Sequence, residues 1–430
     1  MRQEQAIGAL SILMLTDALH SDAPGGSRRV VQELAGGLVA RGNRVTLVAP
    51  RQRGDEPPCR DQDGIRVYRY GNGGKGMRAL PKLLTEERQA LTALVRDAAG
   101  YPFDILNVHF SYFHLPALLP FSSRLAPVTV RSFYGPWAAE GLVEQAPRRA
   151  RDPRSAGAWA RFKARSSIEQ RSLDRSDHII ALSDHSIREL TDLYNVPREK
   201  ISLVPGGVDY RQFTPPTVPK ADLRRQLGLP IDGQMILTVR RLAARMGIGN
   251  LIAAMPDVLR ALPVKPHLVI VGQGRMREEL ERQVADLGLE QWVHFAGFVP
   301  DADLPLYYQA ADLFALPTRS LEGFGLITLE AFASGLPVVG TPVGATPELL
   351  SQIDERLILR DTSAGAIAEG IVRYFTDVQK ELAPRSLREL VLSTYTWATV
   401  VAQTETVYEH ALAATDQCRQ RRPYPSADVA

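Results

Sequence analysis

The chain has 430 residues, 45% hydrophobic and 23% charged, with 51 Lys and Arg against 48 Asp and Glu for a formal net charge of +3. Such a balance excludes a protein that binds nucleic acid or another polyanion through bulk charge, and the apolar content excludes a disordered chain. The length exceeds one ordinary core, so two domains of roughly 200 residues each are expected. Cys59 and Cys418 are the two cysteines and form no metal or redox pattern, which fits a reducing, cytoplasmic setting.

Taken from the start, Ala6 to Leu15 is an apolar run behind Arg2, superficially like a secretory leader. Thr16, Asp17 and the Pro24-Gly25-Gly26 turn follow it, which favours a buried first strand of a parallel sheet. A helix over Arg28 to Arg41 places Val31, Leu34, Leu38 and Val39 on one side, and Arg44 to Ala49 reads as the next strand. This is the strand, glycine loop, helix, strand unit of nucleotide-binding folds. Further strands are expected at Ile65–Tyr70, Asp104–His109, Pro127–Val130, His178–Leu182 and Ile201–Val204. His109 would then sit at the carboxyl edge of the sheet. Tyr134-Gly135-Pro136-Trp137 reads as a turn with aromatic walls.

Arginines crowd the stretch from Arg148 to Arg175. A solvated helical excursion explains them better than a membrane-surface or anionic-acceptor patch, because the apolar residues are too sparse for a lipid-facing stripe. No other apolar run reaches the ~18 residues of a membrane span. Val204 to Asp209 marks a boundary, and Pro215, Pro216 and Pro219 stiffen the connector. A second series of strands then begins, at Met235–Val239, His267–Val271, Trp292–Phe295, Leu313–Leu316, Pro337–Gly340 and Leu357–Leu359. The unusual residues fall directly after strands, at Gly25/Gly26, Arg240/Arg241, Gly272/Gly274 and Glu322 to Gly325. In parallel sheets those loops share the carboxyl edge, where ligands bind.

The most informative stretch is Pro317 to Gly335. Glycines break the loop after a strand, and from Leu326 the periodicity turns helical. On a helical wheel Glu330 lies about 40° from Leu326, at the edge of the apolar arc, where a carboxylate needs donors. Sugar or ribose hydroxyls would serve, and backbone N–H groups at the glycine loop would favour phosphate. Other signals are weaker. The glycines of Val271-Gly272-Gln273-Gly274 lack the third member of a dinucleotide fingerprint, since Arg277 stands there. Asp301-Ala302-Asp303 fits a helix cap better than a metal site, and no zinc or serine-nucleophile signature occurs.

Glu322 and Glu330, spaced as in EGFGLITLE, resemble the signature of the family-four retaining nucleotide-sugar glycosyltransferases, and the likeness runs from about Ser11 to about His410. The resemblance implies an α/β chain of the GT-B fold, two Rossmann-like parallel-sheet domains facing across a cleft. Residues 1–207 would bind the acceptor and 208–395 the nucleotide-sugar donor. A helix over 396–414 would cross back to the first domain, and 415–430 would be a disordered tail. Glu322 with the N–H groups of Phe324, Gly325 and Leu326 would hold sugar and phosphate, Glu330 the ribose, and Gly25, Gly26 and Gly272 would approach the donor. Arg241 matches the arginine of the family's phosphate loop, whereas Met246 replaces its lysine. Arg245 is expected to substitute, with Arg240 the other candidate. Tyr134 stands where relatives commonly have His beside the transferred sugar, and His109 is a further possible contact. The expected reaction is metal-independent, retaining transfer to an unidentified hydroxyl acceptor. A sugar-nucleotide epimerase and a noncatalytic binding protein are the alternatives.

Overall fold

The computed structural model describes residues 9–22, 25–52, 56–71, 80–96, 102–109, 122–145 and 156–421. Among them are two sheets. The first contains β1 (Ser11–Leu15), β2 (Arg44–Pro50), β3 (Cys59–Gln62), β4 (Ile65–Tyr70), β5 (Ile105–Val108), β6 (Val128–Phe133), β7 (His178–Ala181) and β8 (Ile201–Leu203). Their order is β3-β4-β2-β1-β5-β6-β7-β8, parallel except for β3. β1 is central, its Ile12 paired with Val45 on one side and Ile105 on the other. That placement explains its unbroken apolar run, because both faces are covered.

The second sheet contains β9 (Gln234–Val239), β10 (Pro266–Val271), β11 (Val293–Gly297), β12 (Leu313–Leu316) and β13 (Val338–Gly340), all parallel in the order β11-β10-β9-β12-β13. Strand order reverses beside the first strand of each sheet. Those switch points open crevices at the carboxyl edges, and the two edges face one another.

Four expectations change. The segment Leu357–Leu359 is not a strand but a short 3-10 turn at Glu355–Leu357, followed by a single bridge from Ile358 to Gly340. β3 is an additional strand; Asp63 and Gly64, both left-handed at φ 51° and 77°, turn it back onto β4. Asp-Gly between two short runs is the local signal for such a hairpin. The last helix spans Trp397–Arg421, so Thr415 to Arg421 continue it instead of starting a tail. Asp303 precedes the Leu304–Ala310 helix but makes no side-chain capping bond. Of the basic segment, residues 156–174 form a helix and the arginines at 148, 149, 151 and 154 lie outside the described residues.

The last helix packs on the first sheet's layer rather than the second's. Val400, Val401 and Tyr408 join the core formed by Val30, Leu34 and Leu38 of the Gly26–Ala40 helix. Glu405 accepts from Arg41 Nε and Asn43 Nδ2, both at 2.6 Å. No helix among the described residues is long and apolar enough to cross a membrane.

Candidate active site

Glu322 follows β12 in a loop whose neighbours are fixed by close backbone contact. It lies next to Leu321, a non-glycine residue at φ 60°. Gly344 sits against the Glu322 carbonyl, which also accepts from Ala345 N at 3.0 Å. The Glu322 side chain is largely buried. Its Oε2 accepts from Arg240 Nη2 at 2.6 Å and from Thr318 Oγ1 at 2.9 Å. Burial pushes the carboxyl up, but Arg240's charge and the two hydrogen bonds more than offset it, so Glu322 is held below the usual carboxylate range.

Glu330 lies one helix face further on, in Leu326–Ala333, and is 4% exposed. Arg29, from the helix after β1, donates through Nη1 to its Oε1 at 2.5 Å, and Tyr308 donates to Oε2 at 2.8 Å. Here burial wins over the Arg29 charge, and the carboxyl is raised above its ordinary value. Asp301, expected as part of a cap, instead accepts from Arg29 Nη2 at 2.8 Å and pairs with His20 Nε2 at 2.8 Å.

The two sheets are therefore joined by polar contacts at their facing edges. Ser183 Oγ donates to the Gly323 carbonyl at 2.9 Å, and Glu348 accepts from the N–H groups of Asp184 and His185 at 2.9 and 2.6 Å. Arg245 Nη2 donates to Glu140 at 2.8 Å. The structure is a closed one.

Two family models match consecutive parts of the chain: "Glycosyltransferase Family 4" over residues 24–212 and "Glycosyl transferases group 1" over 219–386. A D-inositol 3-phosphate glycosyltransferase of Kineococcus radiotolerans is 31% identical over 338 residues, 74% of this chain and 73% of that protein. The chain belongs to the family-four glycosyltransferases. A GDP-mannose-dependent phosphatidylinositol monomannoside mannosyltransferase of Mycobacterium tuberculosis is 28% identical over 57% of the chain, a match that spans 65% of that enzyme's own length. In fold the chain is like a sucrose-phosphate synthase from Thermosynechococcus elongatus, with a TM-score of 0.77, 23% identity and coverage of 94% and 100% of the two chains. The architecture is GT-B.

The basic loop after β9 sends its three arginines to different partners. Met246, where the resemblance leads one to expect lysine, is buried, and its Sδ accepts from Arg240 Nη2 at 3.0 Å. Arg240 is thus the guanidinium that stands beside Met246 and binds Glu322. Arg245, expected to substitute, turns to Glu140 and to the Leu321 carbonyl, 2.9 Å away. The Arg241 side chain is 52% exposed and 3.8 Å from Glu140. The cation on the Glu322 carboxylate is Arg240.

The glycines divide by use. A Cβ at Gly272, where φ is +134°, would lie 1.9 Å from the Arg240 carbonyl, so close loop packing accounts for this residue. Gly26 lies against Leu326, while Gly25 is exposed and ordinarily extended. Phe324 and Leu326 pack against Gly206, filling the seam between the domains. Gly325 caps the Leu326–Ala333 helix in the left-handed region at φ 93°, and no side chain caps that N-terminus. Phe298, just beyond β11, is 55% exposed at the same sheet edge. A lone aromatic at that place carries no pattern in the sequence.

His109 is fully buried, with Nδ1 2.7 Å from the Tyr134 hydroxyl and its carbonyl accepting from Arg131 Nη1 at 2.6 Å. Burial and then the Arg131 charge lower its pKa to about 3, so the imidazole is neutral. The folded value lies below the unfolded one, so acid favours the unfolded chain below about pH 6.5 and the loss stops growing near pH 3. At pH 5 this group should cost about 2 kcal/mol relative to pH 7.5. Denaturant melts of wild type and His109→Gln at both pH values check it: the variant's pH dependence should be flatter by that amount.

Proposed function

We propose that this chain transfers a sugar from a nucleotide-diphosphate sugar to a hydroxyl acceptor with retention of anomeric configuration and without a metal. The observation that carries the reading is the pair of buried carboxylates, Glu322 and Glu330, flanking the uncapped helix N-terminus at Leu326, with Arg240 beside the first. Diphosphate favours the helix N-terminus and the arginines of the loop after β9. Ribose hydroxyls suit Glu330, and Glu322 is left to the transferred sugar. Phe298 offers the base an apolar face. As the anomeric bond breaks, negative charge grows on the leaving phosphate, and preorganised cations and N–H groups stabilise it with little reorganisation. Acceptor entry on the same face as the departing diphosphate gives retention, and the phosphate can take the acceptor's proton. Among the described residues, no group of His, Cys, Asp and Glu side chains gathers to hold a metal. The GDP-mannose dependence in the mycobacterial relative's name supports a nucleotide-sugar donor.

The test is a panel of nucleotide sugars, with EDTA throughout, followed by NMR. Released or transferred sugar with the donor's anomeric configuration is expected. An epimerised donor, binding without turnover, or loss of activity restored by Mg²⁺ each counts against this reading. Glu330→Ala should then raise KM with little change in kcat, because ribose does not react, whereas Glu322→Ala should mainly lower kcat. Steady-state kinetics showing the reverse pattern would exchange the two assignments.

A further inference from the structure

The ribose carboxylate is already engaged in this closed structure, and by the opposite domain. Arg29 leaves the first helix of the acceptor-side domain, crosses the cleft and bonds Glu330 and Asp301 with its two terminal nitrogens, at 2.5 and 2.8 Å. His20, Glu33, Asp209, Asp301 and Glu330 line one cavity with Arg29. Four of those six groups are carboxylates, so this end of the cleft repels a diphosphate and leaves it to the arginine-bearing end around Arg240. A neutral diol is the part of a donor that fits here.

We propose that Arg29 is a built-in competitor for the donor's ribose: its guanidinium holds Glu330 until a vicinal diol takes that carboxylate over. The proposal rests on the donor reading given above. The exchange is chemically balanced without leaving a stranded charge. When the diol donates to Glu330, Arg29 keeps its bond to Asp301, and Glu33, on the same helix and within reach of the Arg29 charge, can receive the freed nitrogen. Tyr308 continues to donate to Glu330 Oε2 throughout, fixing the carboxylate's orientation. A buried cation–carboxylate contact is thereby exchanged for hydroxyl–carboxylate bonds. Ligands that lack the diol have nothing to offer in the exchange and leave the domains latched. The contact thus screens donors before chemistry begins.

The experiment is calorimetric binding of UDP, GDP and ADP, and of their 2′,3′-dideoxy counterparts, to wild type, Arg29→Met and Glu330→Ala at pH 8. Arg29→Met keeps the bulk of the side chain and removes its charge. It is expected to bind a ribose diphosphate about tenfold tighter than wild type, the worth of one hydrogen bond to a charged group. The preference for the ribose over the dideoxy form should widen by a similar factor. Asp301→Asn, a change at a half-exposed side chain, removes Arg29's second anchor and should shift affinity the same way by less. Weaker or unchanged binding in Arg29→Met overturns the proposal. If wild type binds none of the diphosphates but Arg29→Met binds one, the competitor reading stands in its strongest form. If neither binds, both it and the donor reading fall. If wild type binds and Glu330→Ala binds equally well, the ribose assignment fails and the competitor proposal with it, while the nucleotide-donor reading stands.

Discussion

Arg240→Ala is expected to lower kcat by about 10²–10³, the loss typical of one preorganised electrostatic partner. It should also destabilise the fold by about 3–5 kcal/mol, because Glu322 would be left buried without its cation. Both effects come from one geometry: the Arg240 side chain is 4% exposed and its guanidinium is shared among Glu322, Thr318 and the Met246 sulfur. The two can be separated. Arg240→Ala combined with Met246→Lys returns a cation to the lysine position of the family's loop, from which it can reach the vacated space beside Glu322. That double variant should recover at least tenfold in kcat over Arg240→Ala, together with much of the lost stability. By contrast, Met246→Lys alone places an ammonium against Arg240 and should be destabilising. Chemical denaturation and single-turnover rates on the four proteins decide the matter. No recovery in the double variant would mean that Arg240 does not serve in the lysine's place.

The second large effect is expected at Gly323→Ala. A Cβ there would lie 2.5 Å from the Tyr134 backbone carbonyl, on the other side of the cleft. Gly323 is not among the residues with positive φ, so the alanine is tolerated by the local backbone and only the facing chain objects. The Gly323 carbonyl is meanwhile tied to Ser183. Relief has to come from moving one domain away from the other by a few tenths of an ångström or more. A misplacement approaching 1 Å costs about 10² in rate when the reacting groups come from both sides. Stability should change little, since the sheets themselves are untouched. Gly36→Ala is the control, because an added Cβ there meets nothing within 4 Å. A Gly323→Ala variant with unaltered kcat would show that the closed alignment does not govern the chemical step.

The α/β alternation is legible in the sequence because buried parallel strands leave continuous apolar runs, as at Leu268 to Val271 in β10. The short strand at β3 is not legible by this rule, since it is an edge with mixed polarity, Cys59 to Gln62. Glu322 and Glu330 can be found from their spacing and the glycines between them. What spacing cannot supply is partnership across the chain. Arg29 and Glu330 are 301 residues apart, Arg245 and Glu140 are 105 apart, and neither pair leaves a periodic trace. The choice among Arg240, Arg241 and Arg245 likewise depends on where a backbone turns after β9. Three cations of one short loop look alike in one dimension, and only the fold sends one inward and leaves another half exposed.

The helix Trp397–Arg421 has a consequence for the order in which the protein can be completed. Its Val400, Val401 and Tyr408 cover apolar surface on the Gly26–Ala40 helix, yet they are synthesised after both sheets. A nascent chain emerging from the ribosome therefore carries its first lobe with one flank bare until nearly everything else has appeared. Folding of that lobe cannot finish vectorially, and the second lobe must be threaded between two parts of the first before the flank closes. The same connectivity makes the pair of lobes a single heritable unit: a crossover that exchanges only the front half with a relative also has to match the closing helix, or the new front half meets a foreign lid.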